Sequence, residues 1–415
     1  MEWWMESAAL LCALLGLAAA LWGGYYLAVG LMSWRRPLDY GWHPARTRFA
    51  VLIAARNEEL VIGPLINSLL MQDYPAELYD IWVIPNNCTD NTALAAEQFG
   101  ARVLECPVPV RCKGDVLRFA YESLKSRGYD AYCVFDADNL AHRRFLAEMN
   151  NAYMAGARAA QGYRDSKNPC DTPVSGCYSI YYWMMDRFHN GGRAGLGLSA
   201  MLGGTGFMVS ARALEKLGGW RTRTISEDLE LTAQCVLAGV KIHWVPKAIT
   251  YDEQPLDFAQ SVRQRRRWSS GTIQVAQAYL GRTGQELGRG RRIGSLLDLG
   301  ATLLIPAYQG ALVFNLVLSA LAACLSCQQA VQVPGALLGA AAVNLILSAL
   351  GTTLAAALVL TVEGKWNRGL WKAAAIYWLF LLSWIPITLG CFVKQTTVWE
   401  EIRHTRNVVP EALVR

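Results

Sequence analysis

Apolar residues concentrate at the two ends of the chain, and between them short apolar runs alternate with polar turns. From Ser7 to about Ser33 the sequence is almost uninterrupted Ala, Leu, Gly and aromatic residues, and similar stretches run Leu303 to Cys324, Leu337 to Val362 and Leu370 to Val393. Each is long enough to cross ~30 Å of hydrocarbon. The middle, Trp34 to about Gly294, reads as a soluble domain. There, Phe49 to Ala55 is a continuous apolar run ending in Arg56-Asn57-Glu58-Glu59, and helical spacing follows through Leu60, Ile62, Leu65, Ile66, Leu69 and Leu70. That pattern predicts strand, polar turn, helix. Tyr79 to Ile84 repeats it, ending in Pro85-Asn86-Asn87-Cys88-Thr89-Asp90-Asn91-Thr92 before a helix to Phe99 and a short strand Arg102 to Glu105. A helix from Lys113-Gly114 to about Ser126 then precedes the apolar strand Ala131 to Phe135, which stops at Asp136-Ala137-Asp138.

Strands alternating with helices predict an α/β domain with a mostly parallel sheet covered by helices on both faces. Ligands of such sheets sit beyond the carboxyl ends of the strands, where the clusters at Asn57 to Glu59, Asn86 to Asp90 and Asp136 to Asp138 all lie. That is the pattern of a nucleotide site, although the chain has neither the Gly-x-Gly-x-x-Gly turn of a dinucleotide site nor a Gly-Lys-Ser/Thr phosphate loop. The expected divisions are an N-terminal transmembrane helix over 1–33, a catalytic domain over 34–258, interface helices over 259–302, transmembrane segments over 303–394 and a tail over 395–415.

Charge sets the orientation. The first apolar run is too long for a cleavable signal, its leading end is acidic (Glu2, Glu6) and Arg35-Arg36 follow it, so a retained anchor is expected. Positive residues mark the cytosolic flank, and Arg35, Arg36, Arg46 and Arg48 with Arg282, Arg289, Arg291 and Arg292 put the central domain in the cytosol and the N-terminus outside. The Leu325 to Pro334 loop carries no Lys or Arg and reads as external; the loop with Lys365, Arg368 and Lys372 reads as internal. Three C-terminal spans would leave the tail outside, yet Lys394, Arg403, Arg406 and Arg415 prefer the cytosol; a re-entrant last segment around Pro386 would resolve the conflict. A net charge of +6 gives no reason to invoke nucleic acid. Of eleven cysteines only Cys324 and Cys327 form a Cys-x-x-Cys pair, without a second pair or His at zinc spacing, and cysteines facing a reducing cytosol stay thiols.

Several motifs carry candidate chemistry, each with a plainer alternative. Asp136 and Asp138 suit a hard divalent cation completed by phosphates and water, or merely cap a helix. Lys113 offers a cation to phosphate, or is a solvated lysine. Asp90 can accept from a base or ribose, or cap the following helix. Gly203-Gly204-Thr205-Gly206 allows a sugar to approach the backbone, or is a tight turn. Ser226-Glu227-Asp228 opens a helix to Leu237; acidic residues suit a helix dipole, while Asp228 also suits a general base taking a proton from an acceptor hydroxyl. Gln264, Arg267 and Trp268 fall at i, i+3 and i+4 on one helix face, where Trp268 can stack on a sugar and Arg267 meet a diphosphate. The alternative is a basic helix on anionic lipid, to which Arg265 and Arg266 are suited.

Read in this order, the motifs from about Phe49 to Tyr279 resemble the membrane-integrated, inverting branch of the family 2 glycosyltransferases, which includes cellulose, chitin and hyaluronan synthases, rhizobial chitin-oligosaccharide synthases and ceramide glucosyltransferases. The resemblance implies a GT-A-type fold in an integral protein of, for instance, the bacterial plasma membrane. It implies that Ala55, Asn57 and Glu58 with Asp90 hold uridine and that Lys113 lies near the base or phosphates. Asp136 and Asp138 would serve the UDP-sugar and its Mg²⁺ or Mn²⁺, with Asp138 the direct ligand. Gly204, Thr205 and Gly206 would flank the acceptor sugar. Asp228, beside Glu227, would be the base, and Gln264, Arg267 and Trp268 would close over the diphosphate and the acceptor end. The partners implied are a UDP-sugar donor, a glycan or lipid acceptor and membrane lipids, with a homo-oligomer or export partner left open. The chain departs from the family pattern in its single span before the catalytic domain and in a first turn, Ala54-Ala55-Arg56-Asn57-Glu58-Glu59, that lacks the usual proline. Trp399 to Arg406 resembles the cytosolic tail of bacterial members, whereas the length and span layout resemble chitin-oligosaccharide synthases.

Three functions compete. The leading one is a β-glycan synthase that extends a chain from UDP-glucose or UDP-N-acetylglucosamine; the second is a single transfer to a lipid such as ceramide, diacylglycerol or polyprenyl phosphate. A membrane channel or signalling protein that only binds nucleotide is the third, and it has no need of a base and a closing tryptophan.

Overall fold

The computed structural model describes residues 2–35, 39–326 and 333–397. Arg36, residues 327–332 of the expected external loop, Cys327 among them, and the tail from Val398 onward lie outside the described residues.

The first predicted strand is β1 (Phe49–Ala55), buried along its whole length, and the second is β2 (Tyr79–Pro85). β3 (Arg102–Val103), β4 (Ala131–Asp136), β5 (Leu140–Ala141), β6 (Ala159–Ser166), β7 (Phe207–Ser210) and β8 (Ile242–Asp252) complete one sheet in the order β3-β2-β1-β4-β7-β6-β8-β5. The β3-β2-β1-β4 half is parallel, as the alternation of strands and helices predicts. β7 runs antiparallel to both its neighbours and β5 antiparallel to β8, so the far half is mixed.

A parallel strand must be apolar on both faces, and β1 shows why. Phe49, Val51 and Ile53 pack with Ile62, Leu65, Ile66 and Leu69 of α2 (Ile62–Leu70), within reach of α3 (Thr92–Gln98). Ala50, Leu52 and Ala54 face the opposite core, with Val116 and Leu117 of α4 (Lys113–Leu124). Each large side chain buried in full stabilises the domain by ~1.5–3 kcal/mol. α5 (Phe145–Met154) adds Phe145 and Met149 to the first core.

α6 (Pro173–Met184) starts from a Thr172–Ser175 capping box and runs through a π turn, Met185–Asn190, into α7 (Gly191–Gly195). α1 (Glu2–Leu31) crosses that run closely: a Cβ on Gly192 would stand 2.1 Å from the Val29 carbonyl oxygen, so only glycine fits. α8 (Ala211–Leu217) and α9 (Glu227–Ala238) lie before β8, and α10 (Phe258–Gly288) follows it. α11 (Ile293–Leu303), α12 (Ile305–Ser326), α13 (Val333–Val362), α14 (Trp371–Leu382) and α15 (Trp384–Val393) complete the chain.

Three stretches, Glu6–Trp34, Leu345–Val362 and Arg368–Val393, are long and apolar enough to cross a membrane. A fourth qualifies if α11 and α12, bent by 55° at their junction, count as one broken span. Leu14, Leu17 and Leu21 of α1 and Leu354 of α13 are exposed, as lipid-facing side chains would be. The sharp bend thus falls beside Leu304, not at Pro386. Pro386 sits in the first turn of α15, where a missing N–H costs little. Arg193 of α7, fully buried, ties the soluble domain to α11 by pairing with Asp298 at 2.8 Å.

Arg265 departs from the expected lipid-facing position. It is fully buried, and its guanidinium donates to the Phe380 carbonyl (3.0 Å) and the Ser383 hydroxyl (2.6 Å). The break between α14 and α15 at Ser383 frees carbonyls that a cation satisfies well. Arg266 is the exposed member of the pair.

Candidate active site

The sheet brings three strand ends into one row. Pairing of Ala54 with Asp136 sets the Arg56–Glu59 turn beside Asp136 to Asp138, and pairing of Ala55 with Pro85 sets Asn86 to Asp90 on its other side. In the order 3-2-1-4 the chain reverses direction of growth between β1 and β4, the switch point where α/β sheets open a crevice.

At the β1–β2 end the backbone carries strain. Asn57 has φ 57°, a left-handed conformation that asparagine tolerates better than most residues, and its side-chain oxygen accepts from Thr89 N at 2.8 Å. The Glu58 amide donates to Thr92 Oγ1 at 2.9 Å, and Ala55 is buried with its carbonyl accepting from Asn86. Asp90 accepts from Thr92 N at 3.0 Å and from Glu59 N at 3.1 Å. Its carboxylate therefore ties the Arg56–Glu59 turn to the first amide of α3.

Beyond β4 lies a cavity of ≈ 340 Å³. Lys113, Asp136, Gly204, Glu227, Asp228, Gln264, Arg267 and Trp268 all line it, so these residues, far apart in the sequence, meet there. Ala55, Asn57, Glu58, Asp90, Asp138, Thr205 and Gly206 do not form its wall. Thr205 is buried, with its hydroxyl between Asp136 N (3.1 Å) and the Asn139 side-chain oxygen. Gly206, at φ 61°, leaves no room for a Cβ against Thr250, so both residues shape the loop from beneath.

Lys113, buried at the start of α4, is no solvated lysine. Its ammonium meets the Asp136 carboxylate, donates to the Gly204 carbonyl at 2.7 Å and stands 3.8 Å from Glu227 Oε1. Burial pushes the Asp136 pKa upward, but Lys113, with Arg164 and Arg267, outweighs it and holds the carboxylate below its usual range. The Asp136 side chain keeps 41 % of its surface open to the cavity, which leaves lone pairs for a ligand.

Asp228, in the first turn of α9, lies with Oδ2 3.3 Å from where a Gly204 Cβ would be and accepts from Leu229 N at 2.8 Å. Burial raises its pKa, and Asp136 adds to that, against the opposing Leu229 amide, Lys113 and Arg164; a raised pKa makes a carboxylate a stronger base. Glu227 is pushed up to about 7 by burial, with Asp228 and Asp136 adding to it and Lys113 opposing. The folded chain therefore holds a proton on Glu227 that the unfolded chain, with a carboxyl near 4.5, has released. Stability is then lost as pH rises from 4.5 through about 7. A Glu227→Gln protein melted in detergent across that window will show a shallower fall of Tm with pH than the parent; an unchanged slope would place the titration elsewhere.

The sequence reading missed a layer of polar residues that holds these groups. Arg164 of β6 donates to Asp252 of β8 at 2.7 Å and to the Gly203 carbonyl, and lies 4.1 Å from the Tyr182 ring centre. Gln161 accepts from Gly203 N at 2.8 Å and donates to the Thr205 carbonyl at 3.0 Å, pinning the glycine loop. Asn139 donates to Asp252 at 3.0 Å, and burial, with Asp138 adding to it, pushes the Asp252 pKa up to about 6 despite Arg164. The only signal was the polar run Gln161, Arg164, Asp165 and Ser166 within β6, Ala159–Ser166, which does not read as a buried strand.

Among the described residues no three His, Cys, Asp or Glu side chains converge as a complete metal cage. A cation bound through one or two carboxylates and substrate phosphates needs no such cage. The partly open Asp136, with Asp138 two residues on, fits that kind of site.

Aromatic residues from α6, α10 and α15 also line the cavity. Trp268 stacks with Trp384 (6.0 Å, 29°) and with Tyr181 (6.4 Å, 21°). Ile305, Pro306 and Gln309 of α12 and Trp384 and Thr388 of α15 line the same cavity.

Comparison with known proteins agrees with this architecture. The family model described as "Glycosyltransferase like family 2" matches residues 44–271. The probable glycosyltransferase YdaM of Bacillus subtilis is 28% identical over 246 residues, which cover 56% of this chain and 57% of that protein. A β-monoglucosyldiacylglycerol synthase of Synechocystis is 26% identical over 235 residues, 54% of this chain and 47% of that one. The chain spans about half the length of the curated relatives it matches. The mannosyltransferase PcManGT of Pyrobaculum calidifontis, solved with GDP-Man and Mn²⁺, superposes with a TM-score of 0.64 over 94% of this chain and 98% of its own, at 18% identity, and so shares the fold. Since the family model takes in more than half of its residues, the chain belongs to the family 2-like glycosyltransferases.

Proposed function

We propose that the chain transfers one sugar, with inversion, from a UDP-sugar to a lipid acceptor that reaches the site from the bilayer. The observation that carries this reading is the mixed lining of the cavity: Lys113 of α4 and Asp228 of α9 together with Ile305, Pro306, Gln309 and Thr388 of the apolar helices α12 and α15. The naming of a relative as a β-monoglucosyldiacylglycerol synthase supports it.

The Arg56–Glu59 and Asn86–Asp90 turns hold the nucleoside, and Lys113 and Arg267, both in the cavity wall, face the diphosphate. Mg²⁺ or Mn²⁺ held by Asp138 with Asp136 would neutralise the charge that develops on that leaving group. Asp228 takes the proton from the acceptor hydroxyl as it attacks the anomeric carbon from the face opposite the diphosphate. Trp268 presents a ring to the incoming acceptor. A second reading, repeated transfer to a growing β-glycan, is favoured by the Gln264, Arg267 and Trp268 face together with Tyr181 and Trp384, since aromatic walls suit sugar rings.

The test is to incubate the detergent-purified protein with Mn²⁺ and each labelled nucleotide-sugar in turn, with and without diacylglycerol, and to size the product. One lipid-soluble product supports single transfer; a ladder or polymer moves the assignment to glycan synthesis, and turnover only with a guanosine donor overturns the uridine assignment. Trp268→Ala will weaken acceptor transfer more than donor hydrolysis, and equal loss of both would make the ring purely structural.

A further inference from the structure

A second cavity, ≈ 320 Å³, lies on the other side of the π turn, lined by Ser33 and Arg35 after α1, Asp165 of β6, Asp186 and Arg187 of the π turn, and Glu363 and Lys365 after α13. β8 adds an apolar wall. The cavity sits where two apolar helices long enough to cross a membrane come to an end.

Its charges are unevenly spent. Asp165 is saturated: it accepts from Ser166 N, from Trp183 Nε1 at 2.8 Å and from Lys365 at 2.6 Å. Glu363 accepts from Tyr163 at 2.7 Å, and Asp186 accepts from Arg164 N at 2.8 Å. Arg187 comes no nearer than 3.8 Å to Glu363, too far for a hydrogen bond, although its side chain is only 30% exposed and its Nε is buried without a partner. Arg35 makes one long contact, 3.3 Å, to the Gly195 carbonyl. Ser33 is 5% exposed, and its hydroxyl has no partner among the described residues. A guanidinium carries five donors, and leaving a charged donor buried and unpaired is costly.

We propose that this cavity binds the phosphodiester of an anionic phospholipid from the leaflet on the side of the catalytic domain, with Arg187 and Arg35 as its cations. The two helix ends favour a lipid over a soluble phosphate, since Leu31 and Trp34 on α1 and its extension and Leu354 and Leu358 on α13 are exposed and offer apolar tracks for acyl chains. Asp186 lines this cavity and the catalytic one, and it holds the backbone of Arg164, whose side chain fixes Gly203 and Asp252. An occupant is therefore placed to act on transfer, a consequence that rests on the proposed function, whereas binding itself does not.

Binding is tested in phosphatidylcholine nanodiscs with and without phosphatidylglycerol, reading retained lipid by native mass spectrometry and Tm in parallel. The full chain is expected to retain phosphatidylglycerol and to melt higher in its presence. Arg187→Gln and Arg35→Gln should each lower retention by ~10-fold, the scale of one lost charged hydrogen bond, and Arg187→Lys should recover part of it. Arg291→Gln, an exposed cation outside the cavity, should keep it. Equal retention in Arg187→Gln and Arg291→Gln overturns the site, and displacement of the lipid by inorganic phosphate would make the ligand a soluble anion instead. A failed sugar-transfer assay with intact lipid retention would overturn the proposed function and leave this site standing.

Discussion

Asp228→Asn will bind nucleotide much as the parent does and transfer sugar slower by ~10²-fold or more, the scale of a lost general base. The substitution keeps shape and the Leu229 amide contact but removes the charge that accepts a proton. Asp228 is suited to that task because burial raises its pKa, against the opposing Leu229 amide, Lys113 and Arg164. Its first-turn position in α9 explains an acidic residue as a partner for the helix dipole, yet the dipole does not require it to lie against Gly204 in the cavity lining. Nucleotide affinity by calorimetry and turnover with labelled donor separate the two roles. Wild-type turnover in this variant would sink the base assignment.

Asp138→Ala will remove activity and its response to Mn²⁺ together. Asp138 is 8% exposed and lies close enough to Asp252 to raise that group's pKa, so removing it empties one corner of an acidic pair. Asp136 keeps open surface but shares its carboxylate with Lys113, so alone it will hold the cation more weakly. Metal titration of the variant followed by activity and by Mn²⁺ electron paramagnetic resonance checks this. An Asp138→Ala protein that still answers to Mn²⁺ would move the metal to other ligands.

The parallel half of the sheet was legible because its information is local. A strand buried on both faces must be an apolar run, as in Phe49 to Ala55 and Ala131 to Phe135, and the polar residue that ends the run must sit at the strand's carboxyl end. The far half was not legible, since β6 and β8 carry Gln161, Arg164 and Asp252, whose polar groups are tolerated only because they are partnered within the fold. A buried arginine costs free energy unless its partner is near, and that partner lies far along the chain. Arg265 failed as a surface residue for the same reason: the carbonyl it satisfies, that of Phe380, lies at the break between α14 and α15, far along the chain.

The sequence by itself determined the apolar helices, the strands and turns of the parallel half of the sheet, and the residue types that bear charge, because run length and periodicity are short-range properties of the chain. Only the tertiary structure decided which of those charges face one cavity, that Asp90 ties the Arg56–Glu59 turn to α3, and that the apolar helices share the lining of that cavity with Asp228. Those outcomes depend on long-range pairing and on desolvation, which are set by where the backbone brings distant side chains and by nothing written in any one segment.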